Sequence, residues 1–250
     1  MTIAIDIGNS TIGFGFLKEG VLQRVVTIEN EPESELVRVK LQNFLEHAAE
    51  RHNIGKVVIC SVVPQALTSL RRKIRKAWNI TPAVIGRDIT IPIVNKYRKP
   101  RQVGKDRLLC AFAARELYGA PAVVIDLGTA ITFDGVSPQG AYLGGAIVPG
   151  IRLSVEALFE KTALLPRVRV GEPQHIIGRS TEESIQSGIF HGFGSLCDGM
   201  VERLGLEMKC HPKVIMTGGH AALMQKYMAT KVTAVDEGLI FKGMALLAGQ

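Results

Sequence analysis

Twice in this chain an apolar, strand-like run ends in aspartate, an apolar residue, glycine and a small polar residue. The first copy is Ile3-Ala4-Ile5-Asp6-Ile7-Gly8-Asn9-Ser10-Thr11; the second, 120 residues later, is Val124-Ile125-Asp126-Leu127-Gly128-Thr129-Ala130. A buried strand that delivers an acid suits an oligophosphate with its metal, when it is followed by a glycine where backbone must approach a ligand and a residue offering N–H and hydroxyl. The repetition constrains the fold more than either copy alone: it predicts a duplicated nucleotide-binding fold. In a duplication related by a pseudo-two-fold, Asp6 and Asp126 end equivalent strands and face each other across a cleft. Two carboxylates that close repel unless a cation accompanies them, and Mg·ATP supplies one, which makes Asp6 a candidate contact of the magnesium complex. Gly8 and Gly128 let backbone amides reach phosphate oxygens, and Asn9, Ser10, Thr11 and Thr129 add side-chain donors. The chain has no G-x-x-x-x-G-K-[ST] run, so a P-loop is not the source of the phosphate site.

The flanking patterns repeat as well. Ile3 to Ile7, Thr11 to Leu17 (a strand broken by Gly13 and Gly15) and Val21 to Ile28 read as a three-strand meander. A helix over Ser34 to His52 with Ser34 as N-cap, a strand over Lys56 to Ser61 and a helix over Pro64 to Trp78 follow. Thr81 to Val103 carries three prolines and reads as loop with short strands. Gly104 to Tyr118 is helical. The second half then runs through strands at Ala122 to Ile125, Ala130 to Val136 and Tyr142 to Val148, and a helix at Ile151 to Phe159. Ser180-x-x-Glu183 marks a capping box for a long helix from about Thr181 to Leu204. Gly188, Gly192, Gly194 and Gly199 inside that helix point to close packing against another helix or a second subunit. A strand at Lys213 to Met216 ends in Thr217-Gly218-Gly219, a third phosphate-type or nucleoside-type turn, and Glu237 to Leu247 closes the chain as a helix. The expected class is α/β, with halves at residues 1–118 and 119–250.

Composition supports two such halves. With 250 residues, 46% hydrophobic and 21% charged, the chain has the balance of a globular protein. No apolar run reaches the roughly 18 residues of a spanning helix. Strand-like Thr2 to Ile5 at the start, without a basic n-region, predicts no signal peptide and a cytoplasmic location. The cysteines, Cys60, Cys110, Cys197 and Cys210, form no C-x-x-C pair, which argues against a zinc site and against a disulfide framework. The net charge of +7 gathers in Arg71 to Lys76 and Lys96 to Arg101, without the aromatic interleaving of a nucleic-acid surface; near the second cluster an anionic substrate competes as the explanation.

Phosphoryl transfer needs positioning and a base for the acceptor hydroxyl. Asp106 is the candidate base: in Gly104-Lys105-Asp106-Arg107 the glycine opens a helix N-terminus, the aspartate can accept a proton and the arginine can clamp a carboxylate or phosphate.

Taken in order, Asp6-Ile7-Gly8-Asn9-Ser10, Ser61-Val62-Val63-Pro64, Gly104-Lys105-Asp106-Arg107, Asp126-Leu127-Gly128-Thr129-Ala130, Gly144-Gly145-Ala146-Ile147-Val148-Pro149-Gly150 and Thr217-Gly218-Gly219 make the sequence resemble the type III pantothenate kinases over nearly its whole length. The resemblance implies a duplicated ribonuclease H-like fold of the actin/hexokinase/Hsp70-like ATPases, with two βββαβα-type halves and the active site between them. It also implies a homodimer and ATP-dependent phosphorylation of pantothenate in the first step of coenzyme A synthesis. Residue by residue, Asp6, Ile7, Gly8, Asn9, Ser10, Thr11, Ile12 and Gly13 match the family's ATP segment, and Thr129 its second ATP contact. Asp106 matches the catalytic base. Gly104, Lys105 and Arg107 complete the pantothenate-binding stretch, Tyr97 matches a substrate-contacting tyrosine, and Thr181 a substrate-contacting threonine. Asp126 matches the aspartate that binds a monovalent cation, K+ or NH4+. The chain departs from the family at Lys105, more often Ala, and at Leu127, often Phe. Relatives described as accessory transcription factors, and kinases or phosphatases of this fold with other acceptors, are the alternatives; the intact Asp6, Asp106 and Asp126 argue for the kinase.

Overall fold

Ile3, Ile5 and Ile7 alternate with Ala4 and Asp6, the period-two pattern of a strand with two dissimilar faces. The computed structural model describes residues 1–31, 33–51 and 53–249 and turns this pattern into the first of two five-stranded sheets. Strand β1 (Thr2–Ile7) pairs antiparallel with β2 (Thr11–Lys18), β2 with β3 (Val21–Glu29), and β1 parallel with β4 (Lys56–Ser61), which pairs with β5 (Ala83–Val84). Helices α1 (Glu35–Arg51) and α2 (Pro64–Trp78) join these strands. The order is β3-β2-β1-β4-β5. Ser34 Oγ accepts from the Val37 amide and caps α1; His52, the end of the helix expected from sequence, lies outside the described residues.

The two faces of this sheet carry separate cores. Ile3, Ile5, Ile7, Ile12, Phe14, Phe16, Val57 and Ile59 pack under α1 and α2, where the Phe14 and Phe44 rings stand 4.4 Å apart. On the other face the strands show small side chains to α3 (Lys105–Tyr118) and to the last helix, α7 (Leu239–Ala248). Ala4, Val58 and Cys60 meet Leu109, Phe112, Phe241 and Met244 there. Gly13 and Gly15 do not break β2, as their composition led one to expect. The strand is continuous through them, and they form the seat of Phe241: a Cβ on Gly13 would come within 2.7 Å of that ring, and one on Gly15 within 2.6 Å.

The second sheet is built from β6 (Ala122–Leu127), β7 (Ala130–Val136), β8 (Tyr142–Pro149), β9 (Lys213–Thr217) and β10 (Ala234–Val235). Its order, read from the meander end, is β8-β7-β6-β9-β10. Strand for strand this repeats the first sheet: the central strand is antiparallel to its hairpin partner and parallel to the strand after the helices. Both meanders carry a register shift between second and third strands, at Phe16/Leu17 and at Gly135/Val136. The core of this sheet, Val123, Ile125, Leu127, Ile131 and Phe133, is covered by α4 (Ile151–Lys161), α5 (Thr181–Met208) and the short α6 (Ala221–Met224). The last of these and β10 were not legible as sequence patterns. Ser180 Oγ caps α5 by accepting from Glu183 N, and the Glu183 carboxylate accepts from Arg179 N, one residue before the expected box closes. Of the α5 glycines, Gly194 packs against the Tyr227 backbone, while Gly188, Gly192 and Gly199 have open space where a side chain would stand.

The chain divides into two compact units. The first comprises Met1–Ile93, Lys99–Ala113 and the described residues from Gly238 onward; the second comprises Val94–Arg98 and Ala114–Glu237. Among the described residues no helix is long and apolar enough to cross a membrane.

Candidate active site

In the first unit the chain leaves β1 at Asp6 and Ile7 and reverses over Gly8 to Thr11. The Gly8 amide donates to the Thr11 carbonyl at 2.9 Å. The side chains of Ile7 and Ile12 point into the core, whereas Asn9, Ser10 and Thr11 are exposed. One residue that holds this turn was missed in the sequence. Asn30, just past β3, donates its side-chain amide to the Gly8 carbonyl at 2.7 Å, and its backbone N–H to the Ser10 carbonyl at 2.9 Å. The available signal was positional: β3 pairs Glu29 with Thr11, so the next residue must fall beside the turn.

The Gly104–Arg107 stretch also lies in the first unit and starts α3. The Asp106 carboxylate bends back over Gly104 and accepts from the Arg107 amide at 2.8 Å. A Cβ on residue 104 would stand 2.3 Å from Asp106 Oδ1, so glycine is what lets the acid take this position. Cys60, the parallel register partner of Asp6, reports what surrounds it. Its thiol is pushed well up, first by burial, then by the negative charges of Asp6 and Asp106, against the opposing charge of Lys105. Two of the acids picked from sequence, Asp6 and Asp106, are thereby brought into one electrostatic neighbourhood together with Lys105.

In the second unit the turn after β6 is held by its own elements. Gly128 N donates to the Ala130 carbonyl and Gly150 N to the Thr129 carbonyl, both at 3.1 Å. Gly218, at φ +88, brings the third glycine turn against the Asp126 carboxylate: a Cβ there would sit 2.5 Å from Asp126 Oδ1. Thr129 is exposed and Asp126 half-buried. Next along, burial holds the half-buried His220 ring below its ordinary value, helped by Arg152 and opposed by a contact with the Leu127 carbonyl. The folded state therefore favours the neutral ring, and the unfolded chain takes up the proton first as pH falls. Stability should drop as pH is lowered from about 6.5, and His220→Asn should flatten that drop in thermal melts recorded between about pH 7 and about pH 5.

Tyr97 belongs to this unit too, on a short segment that docks beside β8. Thr181, the first residue of α5, lies on the rim of an apolar groove of about 420 Å³ lined by Leu158, Leu165, Ile185 and Ile189. Among the described residues no group of three or more His, Cys, Asp or Glu side chains could hold a metal ion. Single carboxylates at strand ends suit a magnesium ion that arrives on phosphates and keeps most of its water.

Residues 2–203 match the family model described as type III pantothenate kinase. The chain is similar to a type III pantothenate kinase of Halalkalibacterium halodurans, with 38% identity across 99% of this chain and 98% of that one. It is also similar to one of Persephonella marina, with 40% identity across 90% of each. Among solved structures, a conserved protein of the Baf family of transcriptional activators from Campylobacter jejuni superposes with a TM-score of 0.63 at 22% identity, over 99% of this chain and 97% of that chain. A ROK family glucokinase from Streptomyces griseus, solved with glucose and AMPPNP, gives a TM-score of 0.53 at 14% identity over 100% and 99%. At these identities the structures establish the fold: the duplicated ribonuclease H-like architecture of the actin/hexokinase-like ATPases.

Proposed function

The chain belongs to the type III pantothenate kinase family, and on that premise we propose that it transfers the terminal phosphoryl group of ATP to the hydroxyl of pantothenate. The product is 4'-phosphopantothenate, and the reaction opens coenzyme A synthesis in the cytoplasm. The observation that carries the assignment of roles is the Asp106 carboxylate, folded over Gly104 and held by the Arg107 amide. A base fixed in one place is what this chemistry asks of a protein. Asp106 takes the hydroxyl proton as the pantothenate oxygen attacks the γ-phosphorus, and the bond to the bridging oxygen breaks with its electron pair leaving on ADP.

The Asp6–Gly13 turn receives the ATP phosphates. Ile7 and Ile12, whose side chains are buried, contribute through backbone, and Asn9, Ser10 and Thr11 through side chains. Thr129 adds a hydroxyl to the phosphates. Asp6 would stand beside the magnesium that ATP carries, whose positive charge would offset that of the phosphates. Asp126 would hold a monovalent cation, K+ or NH4+, which would add positive charge at the end of β6. Pantothenate is held by Tyr97, Gly104, Lys105, Arg107 and Thr181, with Arg107 suited to its carboxylate. A coupled assay with pantothenate, with and without potassium or ammonium, tests the reading; no turnover of pantothenate under either condition contradicts it.

Asn30 supports the nucleotide side. Asn30→Ala releases the Gly8 carbonyl and is expected to raise the KM for ATP about tenfold, the worth of one hydrogen bond that keeps the turn in shape, with the pantothenate KM unchanged. Equal rises in both would show a general loss of structure instead.

The active form is a homodimer. Its support on this chain is the open face of α5, where Gly188, Gly192 and Gly199 leave room for close approach. Sedimentation at micromolar concentration checks this, and a stable monomer is the result that contradicts it.

A further inference from the structure

We propose that the buried pair Asp134–Tyr142 is the positioning device for Tyr97, and through it sets how tightly pantothenate is held. The inference rests on the reading that Tyr97 contacts pantothenate. Asp134, in the middle of β7, is 1% exposed, an expensive place for a carboxylate without donors. It receives the Thr132 hydroxyl at 3.0 Å and the Tyr142 hydroxyl at 2.8 Å. Tyr142 is completely buried, and every polar group it has is engaged in one task. Its hydroxyl is fixed on Asp134, its N–H donates to the Val94 carbonyl at 2.9 Å, and its carbonyl accepts from Lys96 N at 2.8 Å. The strand residue thus grips the backbone on both sides of Asn95, with which it forms an isolated bridge.

Tyr97 is the next residue on that gripped segment. Its own amide donates to Asn95 Oδ1 at 3.0 Å, and its ring stands 6.4 Å from the Tyr142 ring, tilted by 40°. Beneath it lies Gly144, at φ +117, where a Cβ would come within 3.0 Å of Tyr97 Cδ2. The Tyr97 ring is therefore seated between a buried tyrosine and a bare backbone. The buried tyrosine is in turn anchored at its far end by Asp134. A flexible, acyclic acceptor such as pantothenate loses freedom on binding, so a rigid ring against it is worth affinity that a mobile ring is not.

The experiment measures KM for pantothenate, KM for ATP, kcat and the thermal midpoint for five variants. Tyr97→Ala tests the underlying reading. Tyr142→Phe and Asp134→Ala are expected to raise the pantothenate KM about tenfold, with the ATP KM and kcat changed by less than about twofold. Asp134→Asn keeps an oxygen for the Tyr142 hydroxyl and should return the pantothenate KM to within about threefold of wild type. Gly144→Ala pushes on the Tyr97 ring without removing the buried carboxylate and should raise the same KM; at φ +117 it also strains its own backbone, which the thermal midpoint reads, and Tyr142→Phe stands in if removal of the buried carboxylate prevents folding. A pantothenate KM raised by Tyr97→Ala but unmoved in folded Tyr142→Phe and Gly144→Ala overturns the positioning role. So does a rise shared equally by both substrates. If Tyr97→Ala leaves the pantothenate KM unmoved, the reading of Tyr97 is wrong and the proposal falls with it.

Discussion

Asp106→Asn is expected to lower kcat by roughly 10²–10⁴-fold, the usual contribution of a general base, while ATP binding stays as it is. The substitution is nearly isosteric, and the asparagine oxygen can still accept from the Arg107 amide as Asp106 Oδ1 does at 2.8 Å. The start of α3 therefore keeps its shape, and what disappears is the ability to take a proton. A companion variant separates chemistry from placement. Gly104→Ala leaves the carboxylate in the chain but drives a methyl to within 2.3 Å of where Oδ1 now lies, so the acid must move. A displacement on the order of 1 Å in a reacting group costs up to about 10²-fold. Both variants should bind ATP with unchanged affinity in isothermal titration. Near-normal turnover of pantothenate by Asp106→Asn removes the residue from the role given to it, whatever the companion does.

The second large effect concerns stability. Phe241 is 5% exposed and lies across Gly13 and Gly15 of β2 on the face of the first sheet opposite α1 and α2. No side chain on those two residues can fill the space if the ring is removed, so Phe241→Ala leaves a cavity with bare backbone on one side. A loss of about 3–5 kcal/mol is expected, a large share of the roughly 5–15 kcal/mol that holds a typical protein folded. Denaturant unfolding followed by circular dichroism measures it. Gly13 is the register partner of Asp6, so the variant should also weaken ATP binding through the nucleotide turn. A loss below about 1 kcal/mol would mean that α7 contributes little to this core.

Much of the fold was legible because its signals are local. The bounds of α2 follow from Pro64 at one end and the apolar spacing through Trp78, and the Ser180 cap announced α5 three residues ahead of Glu183. Asn30 escaped because its partner, the Gly8 carbonyl, is 22 residues away and is reached only once β2 and β3 are in register. The Val94–Arg98 segment looked like proline-rich loop, yet Asn95 bridges to Tyr142 far along the chain, through backbone groups that carry no residue identity. Asp134 reads from sequence only as an interior residue of the strand Ala130 to Val136; nothing in its neighbours foretells a buried carboxylate under two hydroxyls.

By itself the sequence determined the two strand-aspartate-glycine turns, the meanders around them and the acid at the head of α3, because periodicity, capping and turn chemistry act between residues a few positions apart. Only the tertiary structure decided what those pieces touch. It laid Phe241 on the glycines of β2, folded Asp106 over Gly104, and seated Tyr97 on Gly144 beside a tyrosine anchored to Asp134. The first and last are contacts between surfaces distant in the chain and the second is a local fold of the helix start; in all three glycine matters for the space it leaves, and space is a property of the packed neighbours rather than of the residue.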